Sequence, residues 1–357
     1  MTKFLKRALT VSVAALSITG LSFSQEDSEP PAKPMYVTLP PRPSTDARPA
    51  ATLQTWNGSF TYKGKSYTYN MVGTAPSTNT TTTVPVFLIP LKVVITASNG
   101  TKTTFDPAHV LTNGKTVTQN TVASPIFDST TTYVQGGVDV GTTQYIDAFQ
   151  RANFWGMLPA NSTYHLLLGK PTVTSEVTLS PPTRQGKLGQ PFGFTAAEVN
   201  INWFDAEVQA IIKKITAIQP NALPIFLAYD VYLTSGGCCI GGYHSAVGAQ
   251  AYSFATYVDV VGQFAQDVSA LSHEIGEWAD DPLVNNSGNN TPCGILEVGD
   301  PLENNTNFGG YPYTLNGFMY NLQDLTTLPY FGAPTTTSVN GFFTFQGEHL
   351  SVCQNGS

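Results

Sequence analysis

Ser272-His273-Glu274-Ile275-Gly276-Glu277-Trp278-Ala279-Asp280-Asp281-Pro282 is the stretch on which the fold turns. Pro282 disfavours helical backbone at Asp281, so a helix ends there. Working backwards, the apolar periodicity predicts that this helix begins at about Gly262 and runs to Ala279. With Phe264 at zero and about 100 degrees per residue, Phe264, Val268, Leu271, Ile275 and Trp278 fall within about 40 degrees of one meridian. His273, Glu277 and Asp280 fall on the opposite side. The helix therefore has a core stripe and, back to back with it, a line of metal-capable side chains.

His273 and Glu277 stand one turn apart, the spacing at which two side chains grip one ion. Glu274 projects sideways, where a general base stands beside water activated by that ion. The pattern is HExxE, with Glu277 where the metallopeptidase motif HExxH has a second histidine. Carboxylate is a legitimate zinc ligand, but its charge weakens the ion's pull on water and makes Mn, Fe or Ca more competitive. An exposed acidic helix face bearing a surface histidine is the plainer alternative.

A third ligand must come from outside the helix, because Asp280 is two turns from His273, about 10 Å along the axis. Gly294-Ile295-Leu296-Glu297-Val298-Gly299-Asp300 offers Glu297 and Asp300, with two glycines that let the backbone turn sharply. His349 is a further candidate. Asp281 reads as a structural helix stop. His244 follows a strand-like run (Leu223–Leu233), where it either serves the cleft as a transition-state donor or extra ligand, or is a hydrogen-bonded loop histidine. Ser245 beside it lacks the strand–nucleophile–helix elbow that a serine hydrolase needs.

Charge points the same way. Lys214 is the last basic residue, and twelve Asp/Glu follow it with no Lys or Arg. Seven of the twelve fall between Glu274 and Glu303, so side-chain cations cannot neutralise them locally and bound metal can. Such a surface excludes nucleic acid as a partner. Calcium is the other ion to expect, because Asn285 to Asn307 is rich in Asn, Asp and Glu.

The N-terminus reads as an export signal over residues 1–24: Lys3, Lys6 and Arg7, an apolar run from Ala8 to Leu21, then Ser22-Phe23-Ser24. The run is too short for a membrane span, so the mature protein is expected to be secreted, extracellular or periplasmic. Residues 25–51 are rich in Pro, Ser and Asp and are expected to form a disordered linker. Four cysteines in an exported chain imply disulfides. Adjacent Cys238 and Cys239 are expected to pair with Cys293 and Cys353 rather than with each other.

Residues 52–190 are expected to be β-rich. Ser59–Tyr62 and Ser66–Tyr69 alternate polar and aromatic residues around a Lys63-Gly64-Lys65 turn. The prolines in Val84–Ile95 suggest an edge strand or a bend. Gln144–Met157 and Asp205–Ile218 show helical spacing, and Ala251–Val261 is a strand candidate.

The segments Pro220-Asn221, Cys239-Ile240-Gly241-Gly242-Tyr243-His244, Ser272-His273-Glu274-Ile275-Gly276-Glu277 with Asp281-Pro282, and Glu297-Val298-Gly299-Asp300 together resemble the phosphate-induced protein 1/EXORDIUM family and its bacterial relatives. The resemblance spans Pro220 to Asp300 of the 357 residues. It departs at Asn285–Asn290, where the family continues into Trp, Asp and Cys. The resemblance implies secretion and a zincin-like metal helix, and supplies no substrate.

The expectation is an α+β fold. A zincin-like catalytic core (helix, β-sheet, metal-bearing helix) in residues 191–357 is preceded by the β-rich region. The expected function is a secreted metal-dependent hydrolase, a peptidase acting on peptide or protein, with Zn2+ on His273, Glu277 and one of Glu297 or Asp300, and Glu274 as base. The alternative is a non-enzymatic extracellular or envelope protein whose structural Zn or Ca uses the same residues, with cell-envelope polysaccharide as a possible partner.

Overall fold

The computed structural model describes residues 32–44, 51–62, 64–286, 296–305, 307–327, 338–339 and 342–345. The proposed signal segment, His349, Cys293 and Cys353 lie outside them, as do residues 287–295 of the Asn285–Asn307 stretch. The fold is mixed α+β and strand-rich, built on a curled eleven-stranded sheet. The four α-helices among the described residues are α1 (Val117–Val122), α2 (Tyr145–Asn153), α3 (Ile201–Lys214) and α4 (Ser269–Asp280). None is long and apolar enough to cross a membrane.

Strands Val86–Thr96, Leu223–Tyr229 and Gln250–Tyr257 lie side by side and parallel. Cys238–Val247 runs antiparallel to Gln250–Tyr257. Side chains alternate across this sheet, as strand geometry requires. Ile225, Leu227, Ala251, Ala255 and Tyr257 face one core with Leu271, Ile275 and Trp278 of α4. Phe226, Ala228, Tyr252 and Phe254 face the other, with Phe204, Val208 and Ile212 of α3. The sheet is thus buried on both faces and reads as near-continuous apolar runs. Asn200 caps α3, its side chain accepting from the Asn202 and Trp203 amides at 3.0 and 3.1 Å.

Val86–Thr96 belongs to the same sheet as the later strands, so residues 52–190 and 191–357 share one layer. It is also a sheet-interior strand, which corrects the edge expected from its prolines. Pro90 pairs with Leu227 on one side, although it has no N–H to give to a ladder. On the other side Leu88 pairs with Val173 and Leu91 with Val177, and Pro90 falls in the break between those two short neighbours.

Three further expectations need correction. The helix expected from Gly262 begins only at Ser269. Gly262, Ala265 and Asp267 take positive φ (77, 62 and 43°), which breaks helical backbone, and residues 258–267 fold into turns instead. Phe264 still joins the α4 core, but from this turn. The Leu223–Leu233 run is two strands, broken at Asp230 (φ 52°). The segment expected to be a disordered linker is ordered over residues 32–44, and Met35–Thr38 pairs in parallel with Cys238–Val247. Its apolar residues, sparse as they are, all find partners: Tyr36 is buried and Met35, Val37 and Leu39 pack on the α3-side core.

Asp230 offers a pH test of the fold. Burial, with Asp259 nearby, raises its carboxyl from 3.8 to about 7. An acid raised in the folded state binds its proton more tightly there, so the penalty is absent below about pH 4, grows as pH rises, and is complete above about pH 7. Asp230→Asn keeps a side chain that tolerates positive φ and removes the charge. It is expected to melt several degrees above the parent at pH 8 and level with it at pH 4. Equal melting temperatures at pH 8 would refute a buried, penalised carboxylate at this position.

Candidate metal centre

α4 is enclosed by strands Cys238–Val247 and Gln250–Tyr257, the Phe318–Gln323 strand and α2. Every one of its residues is buried, including the polar side: His273 and Glu274 are 0% exposed and Glu277 is 1%. An exposed acidic face is therefore not what the chain folds. Ser272 fixes the helix laterally, accepting the Gln323 amide at 2.7 Å.

His273 Nε2 and Glu277 Oε1 lie 3.0 Å apart. Asp300, at the start of the 3-10 turn Asp300–Leu302, brings Oδ1 to 3.6 Å from the same nitrogen and is 42% exposed. One donor atom from each of the three lies within 4.8 Å of the others. A second group, His244, Glu274 and Glu277, meets the same criterion and shares Glu277. His244 Nδ1 is 3.3 Å from Glu274 Oε2 and 3.5 Å from Glu277 Oε2. Glu297 is turned toward Glu277, carboxyl to carboxyl, and takes a hydrogen bond from Thr38. Asp280 is drawn elsewhere, accepting Gln150 Nε2 at 2.7 Å. Asp281 caps the helix end, accepting the Asn285 amide at 3.0 Å.

His244 is not a loop residue. It lies inside strand Cys238–Val247, opposite Ser253, and the glycine run is what makes that strand possible beneath α4. A Cβ on Gly242 would stand 2.6 Å from Glu274 Oε1. Cys238 and Cys239 are bonded to each other, not to distant partners. Their shared peptide is cis, which places the two Cα atoms 3.1 Å apart and both sulfurs within reach.

Sequence reasoning missed Glu303 and Tyr36. Glu303 accepts the Tyr36 amide at 3.1 Å, and the Tyr36 ring stacks on the His273 imidazole at 4.0 Å. Glu303 was visible only as one acid among seven, and nothing local marked Tyr36.

Burial dominates the electrostatics. Desolvation pushes Glu274 and Glu277 well above the usual carboxylate range, reinforced by each other's neighbourhood of acids. It raises Asp300 to about 7 and lowers His273 to about 4 and His244 to about 3. Low dielectric thus disfavours every charged form, and a cation among the carboxylates would reverse that. The fit to a divalent ion rests on unmet donors. His273 Nε2 and Glu277 Oε1, 3.0 Å apart, are buried and make no hydrogen bond, and Glu274 Oε1 is likewise buried without a partner. Buried polar atoms without partners are rare in folded chains.

Gly299 lets the loop close on the helix. A Cβ there would lie 2.1 Å from His273 Nδ1. Gly299→Ala is expected to weaken zinc binding at least tenfold by displacing the imidazole, measured by competition with a chelating dye. Parent affinity in that variant would show that the imidazole does not need its present position.

Comparison of the chain with protein-family models, curated proteins and solved structures found no match. The family resemblance therefore rests on the short motifs alone.

Proposed function

We propose that the chain is an exported, zincin-like, metal-dependent hydrolase of peptides or proteins. The observation that carries this is the approach of Asp300 Oδ1 to His273 Nε2 and Glu277 Oε1, with no cationic side chain among them, beside a helix that also carries Glu274. One neutral imidazole and two carboxylates suit Zn2+, and the carboxylates admit Mn2+ or Ca2+. When bound, such an ion supplies Lewis acidity toward a carbonyl and toward water.

The remaining roles belong to the chain. Glu274 Oε2 lies 3.3 Å from His244 Nδ1, while Oε1 is buried over Gly242 without a hydrogen-bond partner. One oxygen is held and the other is left to take a proton, the disposition of a positioned general base. Burial and the neighbouring Glu277 raise the proton affinity of this carboxyl well above the usual carboxylate range. His244, kept neutral by burial, orients Glu274. Asp300, as the only partly exposed member, marks the side from which substrate enters. Export is supported by the basic, apolar and small-residue order of residues 1–24.

A second reading is a non-enzymatic envelope protein with a structural ion. It is favoured by the complete burial of His273, Glu274 and Glu277. Peptide-library turnover separates the two. Hydrolysis that a chelator abolishes and Zn2+ restores is the expected result. Stoichiometric metal with no turnover of any peptide, even after Tyr36 is removed, would leave the structural reading standing.

A further inference from the structure

One edge of the site is closed by the chain itself. Strand Val231–Thr234 pairs with Cys238–Val247 only as far as Ile240. Beyond that point the edge is taken by the N-terminal segment: Met35 opposite Ile240, Val37 opposite Tyr243, Thr38 opposite His244, and Arg42 opposite Val247. The backbone bonds continue along it, from Leu39 N–H to His244 O at 3.2 Å and from Arg42 N–H to Ala246 O at 2.9 Å. Three side-chain contacts pin the segment over the donor group. Tyr36 stacks on His273, the Tyr36 amide donates to Glu303, and Thr38 bonds Glu297. Arg42 anchors its far end on the buried Asp205 carboxylate at 2.8 Å.

We infer that this edge is the substrate channel of the candidate centre, built for an extended polypeptide with an aromatic side chain seated on His273, and that residues 33–42 are its intramolecular occupant. The inference rests on the metallohydrolase reading for what happens to the bound peptide, but not for the binding. A strand edge with unpaired N–H and C=O groups takes an extended chain by main-chain hydrogen bonding, and pockets for individual side chains give selectivity. Here the main-chain ladder passes His244, which contacts the base Glu274, so a peptide in this register lies across the chemistry. Tyr36 shows which side chain the pocket takes: an aromatic ring, face to face with the imidazole at 29° between planes. Segment and substrate compete, so the chain as folded is held in a self-occupied form.

The test uses the full chain in three forms: parent, Tyr36→Ala, and Tyr36→Ala with Leu39→Pro, which also removes the Leu39 N–H. The probe is a fluorescein-labelled decapeptide of residues 33–42, followed by fluorescence anisotropy. Both variants are expected to bind it at least tenfold more tightly than the parent, and a probe with alanine at the Tyr36 position is expected to bind at least tenfold more weakly. Amides of residues 241–248 should exchange faster in the double variant and regain protection with the probe. Zinc-loaded variants should turn over peptides at least tenfold faster than the parent, with the probe as competitive inhibitor. Equal probe binding in all three forms, or no probe-dependent protection in a variant with parent circular dichroism, overturns the inference. A result in which the probe binds as expected but chelator-sensitive turnover is absent sinks the hydrolase reading and leaves the channel intact.

Discussion

Glu274→Gln is expected to retain metal at the parent stoichiometry while peptide turnover falls by about 10²–10⁴, the range supplied by a positioned general base. The substitution is nearly isosteric, so the His244 contact at Oε2 and the packing against Gly242 survive as steric features. What is lost is the ability of the second oxygen to take a proton. The amide also cannot ionise, and a fully buried carboxyl is costly, so the variant should be at least as stable as the parent. Turnover equal to the parent's, at equal metal content, would remove Glu274 from the reaction. A parallel loss of metal would instead make Glu274 a ligand, consistent with its place in the second donor group with His244 and Glu277.

Zinc added to chelator-treated protein is expected to raise its melting temperature, and His273→Ala is expected to abolish the rise. An ion that binds only the folded chain stabilises it by about 4 kcal/mol at a thousandfold excess over Kd. The effect should weaken as pH falls. Burial raises the Glu277 carboxyl well above its usual range, and partial burial beside Glu303 and Glu297 raises that of Asp300 to about 7, so zinc must displace protons from both. His273, lowered to about 4, does not compete until much lower pH. Calorimetric melts with zinc, manganese and calcium at pH 8 and pH 6 measure this. A melting temperature unmoved by all three ions at pH 8 would mean that the donor group holds no ion.

Much of α4 was legible because its information is local. Three-and-four spacing puts Leu271, Ile275 and Trp278 on one side and His273 and Glu277 on the other in any helix, whatever surrounds it. The helix start was not legible. Val268 and Phe264 continue the apolar period, and only the turn backbone at Ala265 and Asp267 ends the helix. That turn is held by bonds from Asp267 N–H to Val258 O and from Val258 N–H to Ala265 O. Asp267 in turn accepts the Asn321 amide, a partner 54 residues away. The strand setting of His244 is hidden in the sequence for a related reason. Glycines next to cysteines resemble a loop, and only the close approach of α4 shows why side chains are missing there.

By itself, then, the sequence determined the α4 face, the pairing of His273 with Glu277 one turn apart, and the concentration of acid around them, because helical geometry and charge composition need no partner. Tertiary structure alone decided that Asp300 meets His273, that His244 backs Glu274, and that Tyr36 covers the imidazole. Those contacts join residues 27 to 237 positions apart, and no periodic pattern in a single chain encodes which distant segment the sheet will bring to its edge.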